Sequence, residues 1–373
     1  VSDPGSLIPG EHVTATDELI DPDRFTAWAE GHLPGHGAVE VERHAEGHSN
    51  LTFVVRRSGV DTEWILRRPP QGRLLPTAHD VLREYRVMDL LGRSTTPVRV
   101  PRVVAACEDT EVVGVPFYLM ERVDGIVIRD KLPEWLADDQ HHYPGRHSLG
   151  LDVVDALAEL HSAPYEPLVA AGIGKADGYL LRQLKRWRGQ REGVQQVAES
   201  MGHKARELPD YDVLRDWLAE TIPDPVPPAV VHGDYKLDNV IVAGGAGPGA
   251  ENAPRVAAIV DWEMATVGDP RADLGYLLFF WMEDGETLPW HDVVTNRPGF
   301  ATRAELVARW QERTGRDAGE TTWFIALAIW KLAILLEASY HRHLAGTTDD
   351  PFFAMLDEGV PALLHRAREV AGV

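Results

Sequence analysis

Residues 230–242 read VVHGDYKLDNVIV, a polar and charged segment between two apolar, β-branched runs. Valine and isoleucine in short runs belong to buried strand, where an unpartnered carboxylate or imidazole is costly. His232, Asp234, Asp238 and Asn239 therefore stand on a short loop anchored at both ends in a hydrophobic core. Such an anchor holds oxygen ligands rigidly.

Rigid oxygen ligands are what phosphoryl transfer needs: a carboxylate near the acceptor hydroxyl, and metal ligands that steady the nucleotide phosphates. His232, Asp234 and Asn239 follow the order H-x-D-x-x-x-x-N, the spacing of a protein-kinase catalytic loop. On this spacing Asp234 accepts the hydroxyl proton and Asn239 offers an amide oxygen to Mg²⁺, a hard cation that prefers oxygen. Twenty-two residues beyond Asn239 a second apolar run, RVAAIV, ends in Asp261. Asp261 takes the place of the kinase D-F-G aspartate and is the second expected metal ligand.

VVHGDYKLDNVIV followed by AIVDWEMATVGDPRADLGY resembles the aminoglycoside phosphotransferase and choline kinase family, with HGD in place of the usual HRD. The resemblance covers roughly residues 24–365 and implies a two-lobed protein-kinase-like fold that uses ATP and Mg²⁺ on a small-molecule hydroxyl. It further implies a phosphate-covering turn at Gly47, Ser49 and Asn50 in EGHSNLTFVV. WILRRPP occupies the strand that ordinarily bears a phosphate-binding lysine; Arg67 is the favoured replacement and Arg68 the alternative. An arginine neutralises phosphate with a different, planar fork.

Glu84 in VLREYRVMDLL is the implied helix partner of that cation. FYLMERVDG resembles the hinge, where Glu121 and Val123 would offer backbone groups to adenine and Met120 would wall the pocket. Asp273 in GDPRADLG resembles a buried aspartate that supports the catalytic loop, and His161 is expected to be a packed histidine at a helix end.

Along the chain, periodicity divides a strand-rich first part, with one helix inserted, from a helical second part. VEVERHAEGHSNLTFVVRRSGVDTEWILRRPP alternates apolar and polar residues, as antiparallel strands do, with turns at Gly47 and SGVD. HDVLREYRVMDLLG switches to the helical period, and RVPRVVAACEDTEVVGVPFYLMERVDG returns to strand. A short helix is expected over 24–36, capped by Asp23. Beyond residue 122 helices dominate, apart from strand near 229–263. The expected class is α+β, with a β-rich N-lobe and a mainly helical C-lobe separated by a cleft. The expected divisions are a polar arm at 1–23, a nucleotide-binding lobe at 24–122 and a catalytic, substrate-binding lobe at 123–373. AGGAGPGAENAP at 243–254 reads as a hairpin tip.

With 373 residues, 44% of them hydrophobic, the chain has enough material for two lobes and a full core. The net charge of −21 argues against nucleic acid or anionic membrane as partner and suits a cytoplasmic enzyme. Cys107 is the only cysteine, which rules out an intramolecular disulfide and a thiolate cluster. The first residues lack the basic-then-apolar pattern of a signal peptide. WFIALAIWKLAILLEASY, at 323–340, is interrupted by Lys331 and Glu337 and is expected to be a buried helix.

The acceptor is the open point. An acidic chain suits a cationic aminoglycoside. Locally, however, Arg182, Lys185, Arg186 and Arg188 form a basic patch, and RQLKRWRGQ with LLPTAHDVLREYRVMDLL is similar to the kinase-like domains associated with acyl-CoA dehydrogenases. That patch suits an anionic metabolite such as a hydroxyacyl thioester; its plainer role is a solvated helix face. The arginine at the lysine position also admits a nucleotide-binding module without turnover. A metal-dependent phosphoesterase would need a later asparagine–histidine element that is absent, and Glu337, His341 and His343 have zinc-like spacing without a supporting motif.

Overall fold

The computed structural model describes residues 19–44, 50–70, 80–137, 143–200, 206–244, 253–288, 293–346 and 351–373. Five strands form one antiparallel sheet: β1 (His36–His44), β2 (Leu51–Ser58), β3 (Trp64–Arg68), β4 (Val103–Cys107) and β5 (Phe117–Glu121), in the order β1-β2-β3-β5-β4. Helix α1 (Pro22–Ala29) covers one face, and helix α2 (Val81–Gly92) packs against β4 and β5.

Alternation along β5 separates two cores. Phe117 and Leu119 join Leu19, Ile20, Phe25, Trp64 and Leu66 beneath α1, whereas Tyr118 and Met120 join Val87, Met88 and the C-lobe interior. Successive strand side chains face opposite ways, so one strand can serve two cores. The α1 helix both starts and ends earlier than its expected 24–36 span: Asp21, rather than Asp23, caps it, its Oδ1 accepting the amides of Asp23 and Arg24, and it stops at Ala29, with β1 beginning at His36. Leu19 and Ile20, expected in a polar arm, are buried in the N-lobe core. Gly47 and Ser49, and the tip at 245–252, lie outside the described residues.

The C-lobe is built on helices α3 (Tyr143–Ser162), α4 (Tyr179–Ser200), α5 (Pro209–Glu220), α6 (Arg271–Phe280), α7 (Arg303–Thr314), α8 (Thr322–Leu344) and α9 (Leu356–Ala371). Helix α8, the one described helix long and apolar enough to span a membrane, is largely buried among the others. Gly275 lets α6 approach it: a Cβ there would meet the Phe324 backbone carbon at 2.6 Å.

Two small antiparallel sheets complete the lobe, β6 (Ala229–Val231) with β9 (Thr266–Gly268) and β7 (Val240–Ala243) with β8 (Arg255–Ile259). The apolar runs around the opening motif are therefore β6 and β7, in different sheets. β9 lies just beyond the expected strand region and clamps β6. The mixed architecture is the expected α+β class.

Contacts across the lobes come from both sides. Arg99 donates to Asp152, Glu159 and the Val256 carbonyl, and the Ile259 amide donates to the Arg99 carbonyl at 2.6 Å. Arg83 on α2 donates to the carbonyls of Glu263 and Ala265. Helix α2 is thereby tied to the segment that follows Asp261.

Candidate active site

The loop between β6 and β7 starts with a backbone constraint. Gly233 has φ 88°, and a Cβ would lie 2.8 Å from the Met264 carbonyl oxygen. Positive φ and that close approach together require glycine, which gives a physical reason for HGD instead of HRD in this chain.

Asp273, near the start of α6, holds the loop from below. Its carboxylate accepts the amides of His232 at 2.6 Å and Gly233 at 2.8 Å, with His161 Nε2 at 3.3 Å. Burial opposes its charge, but His161, His232 and the Gly233 amide outweigh burial and keep the carboxyl below its usual range. His161 is fully buried and also accepts the Trp310 indole N–H at 2.9 Å, as a packed structural histidine would. Burial lowers its basicity. His232 donates from Nε2 to the Val260 carbonyl, 2.9 Å, and accepts the Asp234 amide at Nδ1.

Asp234 and Asn239 are brought together. Asn239 Nδ2 donates to the Asp234 carboxylate and to its carbonyl, each at 2.7 Å, so the amide oxygen is the atom left to meet a cation. The Asp234 side chain is 24% exposed, with Lys236 Nζ at 4.0 Å. Burial pushes its carboxyl up; Lys236, Lys331 and the Tyr276 hydroxyl pull harder and hold it below the ordinary carboxylate range. Lys236 also lies 3.9 Å from Asp238 and over the Phe280 ring.

Asp261 follows β8 in the left-handed region, φ 66°, the one non-glycine residue with positive φ among the described residues. Such a conformation costs about 1–2 kcal/mol. Its Oδ1 is buried without a hydrogen-bond partner, and Arg67 Nη2 is 4.0 Å away. A strained backbone and an orphaned carboxylate oxygen fit a cation ligand. Mg²⁺ takes one or two protein oxygens and completes its shell with phosphates and water, so Asn239 and Asp261 are a sufficient protein set. Among the described residues no trio of His, Cys, Asp or Glu forms a metal cluster. Glu337 instead pairs with Arg191, Arg206 and His341, which leaves the zinc-like spacing a buried ion network.

The N-lobe side of the cleft is set by strand alternation. Arg67, opposite Tyr118 on β5, faces the cleft, with Nη1 3.6 Å from Glu84 Oε2. Arg68 points the other way and donates to the Leu19 and Pro69 carbonyls. Glu84 is 1% exposed and accepts from Asn50 Nδ2 at 2.7 Å and the Tyr118 hydroxyl at 3.1 Å. Burial raises the Glu84 carboxyl to about 7 in spite of Arg67. Met120 is buried on the same cleft-side face. The Glu121 amide is taken by the Arg102 carbonyl, so its carbonyl is the group left for a ligand, and Val123 follows where the sheet ends.

Three residues of the site stand outside the expected set: Lys236, Tyr276 and Lys331. Tyr276, Lys331, Gln183, Arg186, Trp187 and Met264 line a cavity of ≈ 30 Å³ beside Gly233. The basic patch is divided. Arg182 donates to the Lys175 carbonyl and Arg188 pairs with Glu192, while Arg186 lines the cavity. The interruption of an apolar helix by Lys331 was the available sequence signal for that residue; Tyr276 carried none.

With this arrangement in view, the comparisons define the class. Residues 40–324 match the phosphotransferase enzyme family model, and the chain belongs to that family. Its β-rich and helical lobes have the kinase-like architecture of that family. It is 30% identical over 345 residues to acyl-CoA dehydrogenase family member 11 of Pongo abelii, covering 89% of this chain and 41% of that protein. Identity to the Gallus gallus protein of that name is 31%, covering 84% and 39%. The chain thus spans about two fifths of the length of these relatives. A solved putative aminoglycoside phosphotransferase from Ralstonia eutropha JMP134 superposes with a TM-score of 0.73 at 27% identity, over 94% of this chain and 98% of that one. A macrolide 2'-phosphotransferase type I shares the fold, with a TM-score of 0.58 at 19% identity over 94% and 99%.

Proposed function

We propose that this chain transfers the γ-phosphoryl group of Mg·ATP to the hydroxyl of a small anionic acceptor, of which a hydroxyacyl thioester is the best candidate. The carrying observation is the convergence of Asp234, Asn239 and Asp261, with the orphaned Asp261 oxygen opposite Arg67. A scaffold without turnover has no chemical need for that set.

In this reading residues 24–122 carry the nucleotide and 123–373 the catalytic loop and acceptor. Met120, the Glu121 carbonyl and the Val123 backbone receive adenine. Gly47, Ser49 and Asn50 cover the phosphates, and Arg67, held by Glu84, neutralises them. Asn239 and Asp261 hold Mg²⁺, which when bound supplies charge neutralisation at the phosphates. Asp234 is ionised at neutral pH, so it first orients the acceptor hydroxyl and takes its proton as the P–O bond forms. Asn239 keeps its carboxylate aimed.

Two observations support an anionic acceptor. Arg186 lines the cavity beside Gly233 in a protein whose net charge is −21. The relatives that cover most of this chain are named for acyl-CoA dehydrogenation. The test is ADP release from Mg·ATP with short hydroxyacyl-CoA thioesters and with aminoglycosides. Turnover of the thioesters alone, lost in Asp234→Asn with nucleotide binding retained, is the expected result. Turnover of aminoglycosides instead overturns the acceptor class; stabilisation by Mg·ATP with no turnover of any acceptor points to a binding module.

A further inference from the structure

Lys331 breaks the apolar run of α8 between Trp330 and Leu332 and is only 8% exposed. Burying an ammonium is costly unless its protons and charge have partners. Its Nζ donates to the carbonyl oxygen of Gly233, the residue before Asp234. The rings of Tyr276 and Trp187 flank it, 4.6 and 5.5 Å from the nitrogen. The Tyr276 hydroxyl in turn faces the Asp234 carboxylate and favours its ionised form.

The segment 232–234 is thus held at successive polar groups: the His232 and Gly233 amides by Asp273, the Gly233 carbonyl by Lys331, the Asp234 amide by His232, and the Asp234 carbonyl and carboxylate by Asn239. We propose that Lys331 is a positioning residue for phosphoryl transfer, aiming Asp234 through the Gly233 carbonyl and the shared Tyr276 ring and balancing its charge. The proposal rests on Asp234 being the group that orients the acceptor hydroxyl.

The charged groups facing Lys331 are Asp234 and Lys236 from the loop, Asp273 from α6 and Arg186 from α4. Burial lowers its ammonium to about 8, with Arg186 and Lys236 adding to burial and the two aspartates opposing it. Its folded pKa lies below the ordinary lysine value of 10.5. The charged form therefore weakens the fold below about pH 8, and that penalty fades as pH rises toward the unfolded value. A residue kept at a cost to stability is expected to serve activity, and a purely structural lysine would behave differently on replacement.

The experiment compares the full chain with Lys331→Met, Lys331→Arg and Asp234→Asn, reading ADP release from Mg·ATP with water as acceptor across about pH 6–10, and melting temperature. Lys331→Met is expected to lower kcat at least about tenfold with KM for ATP within about twofold, at an unchanged or higher melting temperature. Lys331→Arg is expected to restore kcat to within about threefold and to move the alkaline limit upward, because guanidinium stays charged. Wild-type kcat in Lys331→Met overturns the proposal, as does joint loss of kcat and melting temperature, or an alkaline limit unmoved in Lys331→Arg. Wild type releasing ADP no faster than Asp234→Asn overturns the role of Asp234 and this proposal with it. Asp234→Asn inactive beside a fully active Lys331→Met overturns this proposal alone.

Discussion

Replacing Glu84 by glutamine tests the electrostatics of the cleft. Glu84 is buried between Arg67, Asn50 and Tyr118, with Asp261 and Glu263 adding negative charge nearby. Burial lifts its carboxyl to about 7 from an ordinary 4.5. Because the folded value is the higher one, the fold binds a proton between about pH 4.5 and 7 that the unfolded chain has already lost. Stability from this group is therefore full below about pH 4.5 and falls as pH rises through about 7. At about 1.36 kcal/mol per pKa unit, ionised Glu84 costs about 3 kcal/mol at pH 8, an upper bound for the gain on replacement. Glu84→Gln removes that cost and keeps the shape. For a chain of this size the gain corresponds to about 4 °C in melting temperature. The assay is thermal unfolding of nucleotide-free protein at about pH 5 and pH 8. The variant is expected to match wild type within about 1 kcal/mol at the lower pH and to exceed it at the higher one. A variant less stable at pH 8 would mean that the Arg67 pair outweighs burial, and would refute the reasoning.

Three further outcomes follow from the same geometry. Asp261→Asn keeps the shape but not the charge, so Mg·ATP affinity should fall on the order of tenfold or more in a titration of Mg²⁺ at fixed nucleotide; unchanged metal dependence would remove Asp261 from the site. Asp273→Asn leaves one of the two backbone N–H donors, of His232 or Gly233, facing an NH2 group in place of a carboxylate oxygen, and should cost about 2–4 kcal/mol by denaturant unfolding at neutral pH. The Asp273 carboxyl is depressed below 3.8, so its contribution persists above that value and is lost only in stronger acid. Gly275→Ala drives a methyl into the Phe324 backbone and should cost about 1–3 kcal/mol, measured as a fall in melting temperature; a neutral result would mean that α6 and α8 can separate freely.

Much of the catalytic loop was legible because its residues are adjacent in the chain. His232, Asp234 and Asn239 keep fixed spacing, and a local hydrogen bond joins the last two. Period-2 alternation likewise separates Arg67 from Arg68, since neighbouring strand residues face opposite sides. The start of α1 was misplaced by two residues because Asp21 and Asp23 are equally good caps in isolation. Leu19 and Ile20, immediately before the Asp21 cap, are buried in the N-lobe core. The basic patch looked uniform in sequence, and only the packing of α4 turned Arg186 alone toward the cavity.

The sequence by itself determined the class: two apolar runs around HGDYKLDN, a second run ending in Asp261, and a switch from period 2 to helical period after the first lobe. These are local patterns, set by side-chain chemistry and backbone period. Tertiary structure alone decided what surrounds Asp234. Tyr276 and Lys331 come from α6 and α8, roughly 40 and 100 residues further along the chain. Their charge states depend on burial and on neighbours that only folding brings within hydrogen-bond reach.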